Sequence, residues 1–204
     1  HSNFFLAQDE AAITPLPRAI VTCGDVTRNW IGRDGNYPSG MFSSACALRQ
    51  ELAVDEDGGR KQAAITNLLV ALGTGDEEYA SAPGFLENAL TNDDRFKVRL
   101  RPHPSLATLA LPQSPVYSIS TGSLADDLKW ADATLYTSST VSMEAIALGI
   151  PAVYLDLGNF LSTDPLFGWT EFKWLVTEPF QLIETIETIE TLPQNCFEDM
   201  QRRG

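Results

Sequence analysis

The sequence predicts an α/β protein, a parallel sheet with flanking helices. Three observations carry that expectation. Short apolar runs at 65–72, 96–101, 133–137 and 150–156 are each the length of a buried strand. Segments of helical pattern separate them, and strands that alternate with helices build parallel sheets through right-handed crossovers. The residues able to do chemistry gather at the carboxyl ends of these runs, where open parallel sheets bind ligands.

The elements follow in chain order. "RAIVTCGD" (18–25) is a short strand ending in a glycine turn, "WIGRDGNYPSG" (30–40) has loop chemistry, and "MFSSACALR" (41–49) is a second strand. "VDEDGGRKQ" (54–62) is polar and glycine-rich, the best linker in the chain. These features divide the chain into 1–60, the end of a preceding domain with an interdomain crossover, and 61–204, the domain proper. "ITNLLVALGTG" (65–75) is a strand running into glycines. "PGFLENAL" (83–90) is helical, with Pro83 at its first position, where a missing N–H costs nothing. "FKVRLRPHP" (96–104) is a strand stopped by two prolines, and "PVYSIS" (115–120) is a short strand. "LADDLKWA" (124–131) is a helix, "ATLYTSS" (133–139) a strand, "TVSMEAIALG" (140–149) a helix closed by glycine, and "IPAVYLD" (150–156) a strand. In "EPFQLIETIETIETLP" (178–193), Leu182, Ile186 and Ile189 fall on one face of a helix that docks on the outside of the domain.

Composition narrows the function. The chain has 204 residues and a formal net charge of −13. Nucleic-acid surfaces work by neutralising phosphates, so this balance argues against one. Any anionic ligand must be held by local basic groups and backbone amides. The three cysteines, Cys23, Cys46 and Cys196, are far apart and form no metal-ligand pattern. They read as free thiols of a cytoplasmic protein. No stretch approaches the roughly 20 apolar residues of a membrane span, and no signal peptide is visible.

Four strand-end loops should share one rim: Gly73-Thr74-Gly75, Arg101-Pro102-His103-Pro104, Thr137-Ser138-Ser139-Thr140 and Asp156-Leu157-Gly158. The third places hydroxyls where a helix begins, and a helix N-terminus with its free N–H groups and partial positive charge suits phosphate. Glu144 is four residues beyond Thr140 on the same helix face, and a carboxylate there can accept hydrogen bonds from a ribose diol. The bland alternative is a capping hydroxyl and a solvated glutamate. In the second loop Arg101 offers a planar fork for phosphate oxygens. His103, held between prolines, can donate to a departing phosphate oxygen. Gly73-Thr74-Gly75 is a tight turn giving close access to a ligand or acceptor. It is no P-loop, and Asp76, Glu77 and Glu78 directly after it would repel phosphate. Asp55-Glu56-Asp57 has the Asp-x-Asp spacing of a metal bridge, but a solvated acidic turn is the better reading. No metal site is assigned.

"RPHP", "SST" and "EAIALGIP" together resemble the C-terminal, nucleotide-sugar-binding half of GT-B glycosyltransferases. Glu144-Ala145, Gly149 and Pro151 match the spacing of that half's E-A-x-x-x-G-x-P signature. His103-Pro104 with Ser138-Ser139-Thr140 is similar to the His-Pro and Ser-Ser/Thr pair of bacterial sialyltransferases, capsule Kdo transferases and polyol-phosphate polymerases. The pattern also occurs in UDP-N-acetylglucosamine 2-epimerases. The resemblance covers about residues 65–160 and implies a Rossmann-like half-domain. It implies metal-independent transfer of a sugar from a nucleotide-sugar donor to a glycan or other hydroxyl acceptor, in polysaccharide or glycoconjugate synthesis. The nucleotide sugar is substrate, and no cofactor is expected. On this resemblance Arg101 and His103 are the catalytic candidates, with Ser138, Ser139, Thr140, Glu144, Gly73, Thr74 and Gly75 binding the donor. An N-terminal half-domain carrying acceptor contacts is then missing from the chain. The expected location is the cytoplasm, or the periphery of a membrane. The rival readings are a sugar-nucleotide epimerase and a non-catalytic module that binds a nucleotide or partner.

Overall fold

The computed structural model describes residues 15–34, 37–38, 40–45, 62–106, 111–158 and 162–203. The chain divides into two compact units, 1–51 and 52–204. In the first, strands β1 (Ile20–Cys23) and β2 (Phe42–Ala45) pair in parallel. Helix α1 (Asp25–Asp34) connects them where loop chemistry was expected from residue 30. Parallel neighbours cannot be joined by a tight turn, so a crossover helix is required. Asp25 in its first turn pairs with Arg28 at 3.0 Å, and Arg33 stands in its last turn. Both signs suit the helix dipole. The proposed linker 54–62 lies outside the described residues except for Gln62.

The second unit is built on one six-stranded sheet. Its strands are β3 (Asn67–Ala71), β4 (Lys97–Arg101), β5 (Ser118–Ile119), β6 (Ala133–Tyr136), β7 (Ala152–Leu155) and β8 (Lys173–Val176). The spatial order is β5-β4-β3-β6-β7-β8, and every neighbouring pair is parallel. Renumbered from β3, this is the doubly wound order 3-2-1-4-5-6, whose direction reverses between β3 and β6. The α/β, Rossmann-like expectation is met, and the carboxyl ends of all six strands lie along one edge.

Alternation along β3 shows why its strand is apolar throughout. Leu68, Val70 and Leu72 enter the main core on one face, while Leu69 and Ala71 enter smaller clusters on the other. A sheet covered on both faces has no polar side to advertise. The main core is covered by α2 (Asp76–Leu90), α5 (Gln181–Glu190) and α6 (Gln194–Arg203). The other face is covered by α3 (Leu124–Trp130) and α4 (Val141–Ala147). Leu182, Ile186 and Ile189 of α5 are all buried in the main core, as their spacing requires.

Three elements begin or occur where the sequence pattern did not place them. Helix α2 starts at Asp76, not Pro83, and Pro83 sits inside it. The acidic run Asp76-Glu77-Glu78 is the first helical turn, where negative charge is favoured. Strand β8 and helix α6 gave no clear signal. Strand β8 has four residues, and α6 buries only Phe197 fully, so neither can display a period. Phe172, just before β8, has a left-handed φ of 55° and no exposure. Its ring packs edge-on against Phe197 and Trp174 at centroid distances of 5.1 and 5.8 Å. That packing holds a conformation unusual for a bulky residue.

Helix α4 ends as its glycine demands. Gly149 has φ +70°, its N–H donates to Ile146 O, and Ile150 N–H donates to Ala145 O. These are the two bonds of a Schellman cap, and a side chain at this position would be strained. Among the described residues, no helix is long and apolar enough to cross a membrane.

Candidate functional site

A cleft of about 270 Å3 opens at the carboxyl edge of the sheet, beside the β3/β6 reversal. Gly73, Thr74, Arg101, His103, Ser138, Ser139, Thr140 and Glu144 all line it. The structure thus brings together eight of the nine predicted site residues. The ninth, Gly75, is the N-cap of α2 and stands outside the lining. Residues 156–158, the fourth expected loop, do not line the cleft either. They follow β7, one strand further from the reversal.

The hydroxyl loop after β6 is divided in its duties. Thr137 and Ser138 donate hydrogen bonds to the Glu78 carboxylate. Ser139 is buried, and its carbonyl accepts from Ser142 Oγ at 3.0 Å. Thr140 is the N-cap of α4, but its side chain makes no capping bond. It is exposed on the cleft, so its hydroxyl is available to a ligand. Thr137 and Ser138 therefore serve the fold, and Ser139 Oγ accepts from Val141 N–H at 3.5 Å at the start of α4, which a reading of the loop as a phosphate cradle did not separate.

Glu144 is half-buried in the same wall. Burial raises its pKa above the ordinary carboxylate value, and the nearby positive charge of Arg101 acts in the opposite direction. Among the described residues its carboxylate accepts no hydrogen bond. It is desolvated and available, as a ligand-binding carboxylate must be.

Arg101 is more committed than the sequence suggested. One guanidinium nitrogen donates to Asp127 at 2.7 Å and to the Gly122 carbonyl at 3.0 Å. Asp127 is buried on α3, and it also accepts from Ser120 and from Arg99 at 3.3 Å. Arg99 in turn stacks on Trp130, 3.9 Å from the ring centre. Part of the Arg101 fork is thus used to hold β4 to α3, and the rest faces the cleft. Asp127 escaped sequence reasoning because its partners are distant in sequence.

His103 is held by two bonds of known direction. Its backbone N–H donates to the Tyr79 hydroxyl at 2.7 Å, and the Ser105 N–H donates to its Nδ1 at 3.2 Å. A ring nitrogen that accepts from an amide carries no proton in the neutral form. The neutral tautomer therefore has its hydrogen on Nε2, ready to donate.

Glu78 was missed as a site residue. It is 3% exposed and accepts from Gly73 N–H at 2.8 Å in addition to the two hydroxyls. Tyr79 next to it donates to the Gly73 carbonyl at 3.2 Å. Burial raises the Tyr79 pKa, with a smaller contribution from the charge of Glu78. The bond from His103 N–H opposes both. The acidic run expected to repel phosphate thus includes a residue turned inward under the loops. Gly73 has a structural reason of its own: a Cβ there would lie 1.8 Å from Ser138 Oγ. The two loops touch backbone to side chain.

Asp55-Glu56-Asp57 lies outside the described residues. Among the described residues no three His, Cys, Asp or Glu side chains cluster closely enough to hold a metal ion.

No family model matches the sequence, and no curated protein matches it. Solved structures do resemble it. A variant of the wall teichoic acid polymerase TagF is 13% identical over 91% of this chain and 53% of its own, with a TM-score of 0.54. A second TagF variant is 11% identical over 96% of this chain and 55% of its own, with a TM-score of 0.55. A mutant of S. aureus TarM, in complex with fondaparinux, α-GlcNAc-glycerol and UDP, is 8% identical over 96% of this chain and 41% of its own, with a TM-score of 0.50. The chain spans about half the length of the TagF structures it matches. At such identities the likeness is one of architecture: the chain has the α/β, Rossmann-like fold of one half of a GT-B glycosyltransferase.

Proposed function

We propose that this chain is the donor-binding half of a glycosyltransferase, one that moves a sugar from a nucleotide-sugar donor to a glycan or other hydroxyl acceptor without a metal. The synthesis of a polysaccharide or glycoconjugate is the setting such a reaction fits. The observation that carries this reading is the convergence of His103, Thr140 and Glu144 on one cleft at the reversal point of the sheet. The loop after β4 and the start of α4, far apart in sequence, meet there and bring the groups that the phosphate and the ribose of a nucleotide sugar need.

In the reaction, the bond from the sugar's anomeric carbon to the phosphate oxygen breaks, and a bond from that carbon to the acceptor oxygen forms. Negative charge grows on the departing phosphate. His103 Nε2–H, the free part of the Arg101 fork, and the hydroxyls and amides of Ser139 and Thr140 stabilise it. Glu144 accepts hydrogen bonds from the ribose diol. The acceptor's proton goes to a base supplied from outside this cleft. The nucleotide sugar is substrate, and the residues named do their work without a cofactor.

The test is a titration of the chain with UDP, GDP, CDP and ADP, with and without chelator. One of these nucleotides is expected to bind, with an affinity that chelator leaves unchanged. The diphosphate charge is then met by Arg101, His103 and the amides before α4. Loss of all binding in chelator would transfer that task to Asp55 and Asp57. Product analysis with the parent protein separates the enzyme readings, because a transferase needs an acceptor and an epimerase turns over without one. Binding with neither product would leave a nucleotide-binding module.

A further inference from the structure

We propose that Glu78 and Tyr79, in the first turn of α2, are positioning residues for the phosphate-binding loops, and that Glu78 holds the Ser138 hydroxyl hydrogen away from the ligand. This role presupposes the nucleotide-sugar reading given above.

The bonds of these two residues reach all three loops that line the cleft. Glu78 accepts from Gly73 N–H at 2.8 Å in the loop after β3, and from Thr137 and Ser138 in the loop after β6. Tyr79 donates to the Gly73 carbonyl at 3.2 Å and accepts from His103 N–H at 2.7 Å, which ties in the loop after β4. Both side chains are buried, at 3% and 5% exposure. An ionised carboxylate only accepts hydrogen bonds, so both hydroxyl hydrogens point at Glu78. Ser138 therefore presents only lone pairs to the cleft, and lone pairs do not bind phosphate oxygens. The donors left in that loop are the Ser139 and Thr140 hydroxyls and the backbone amides.

Energetics support a positioning role over simple packing. The Glu78 side chain accepts from three neutral donors and makes no ion pair among the described residues. Burying such a charge is costly, and only a complete set of hydrogen bonds compensates. A negative charge beneath a phosphate site also does nothing to attract phosphate. What Glu78 does supply is a fixed distance between the β3 and β6 loops and a fixed direction for two hydroxyls.

Glu78→Gln tests this, because it keeps the volume and reverses one bond. The amide NH2 must donate, so a hydroxyl of the β6 loop turns and offers its hydrogen to the cleft. The experiment measures UDP, GDP, CDP and ADP affinity, and that of the matching nucleosides, for the wild-type chain, Ser138→Ala, Glu78→Gln and the double variant. In the wild-type background Ser138→Ala is expected to change diphosphate affinity less than about twofold. In the Glu78→Gln background the same substitution is expected to cost about fivefold or more, because the freed hydrogen is then in use. A merely structural glutamate would lower stability without making the effect of Ser138→Ala depend on residue 78. Equal effects in the two backgrounds, or a tenfold loss from Ser138→Ala alone, would overturn the role of Glu78. Should Glu78→Gln fail to fold, Ser138→Ala alone and Tyr79→Phe still decide. Tyr79→Phe is expected to weaken diphosphate binding about fivefold and nucleoside binding less than twofold, and equal losses would overturn the positioning of His103. If no nucleotide binds the wild-type chain, the functional reading fails and this role with it. If nucleotides bind and the couplings are absent, only this role fails.

Discussion

Gly73→Ala is expected to destabilise the chain by about 2–4 kcal/mol, although alanine is the smallest side chain that can be added. The new Cβ would stand 1.8 Å from Ser138 Oγ, 3.0 Å from Ser138 Cβ and 3.2 Å from Glu78 Oε2. A free serine hydroxyl would rotate away, but this one donates to Glu78. Rotation gives up a hydrogen bond to a charged group, at about 1.5–3 kcal/mol. The close Cβ remains even then, and overpacking of a buried contact costs about 1–3 kcal/mol. The backbone at Gly73 does not require glycine on conformational grounds, because its φ is not in the left-handed region. The whole effect must therefore come from the neighbour, and that makes it testable by rescue. Ser138→Gly removes the two Ser138 atoms and leaves only the 3.2 Å approach to Glu78 Oε2. Urea unfolding of the two single variants and the pair should show the pair no less stable than Ser138→Gly alone, with a coupling of about 1–3 kcal/mol. Additive losses would mean that the two loops do not meet as described.

Glu144→Gln is the second large expectation, and it is read in affinity. If the carboxylate accepts hydrogen bonds from a ribose diol, the variant keeps the shape and loses the charge. Such bonds contribute about 1.5–3 kcal/mol, so nucleotide affinity should fall roughly tenfold to a hundredfold. A dideoxyribonucleotide has no diol, so its binding should change little. The same double cycle has a pH signature. Burial raises the pKa of Glu144, so the charged form disappears on acidification sooner than for an exposed glutamate. Ribonucleotide affinity of the wild-type chain should fall as pH drops through that raised value, and the Gln variant should lack this step. Stability moves the other way. Between the ordinary and the raised pKa the folded state holds more protons than the unfolded one, so Glu144 costs stability as pH rises through that window. Above the window the Gln variant should be at least as stable as wild type. Equal affinity losses for ribo- and dideoxyribonucleotides would refute ribose recognition and leave the fold untouched.

The central elements and the ingredients of the cleft are legible in the amino-acid order alone. Each buried strand from β3 to β7 ends on a loop that declares itself. Gly73-Thr74-Gly75 follows β3, Pro102 and Pro104 flank His103 after β4, and four hydroxyl residues follow β6. These signals are local, because a turn, a cap or a proline acts on its own few residues. The periodicity of α5 was legible for the same reason, with Leu182, Ile186 and Ile189 on one side of a single helix.

Tertiary structure decided what required distance to be crossed. The strand order, which sets β3 beside β6 and so Gly73 against Ser138, is not written in any window of sequence. Asp76-Glu77-Glu78 read as an acidic run that would repel phosphate, and only the packing of α2 turns Glu78 inward to Thr137 and Ser138, about 60 residues away. Arg101 read as a free fork, and only the docking of α3 brings Asp127 to it. Helix α6 and strand β8 are held by long-range contacts rather than by their own pattern, so nothing local marked them. A charged side chain looks the same in sequence whether it faces water or a buried donor. Its partner decides which, and partners are chosen by the fold.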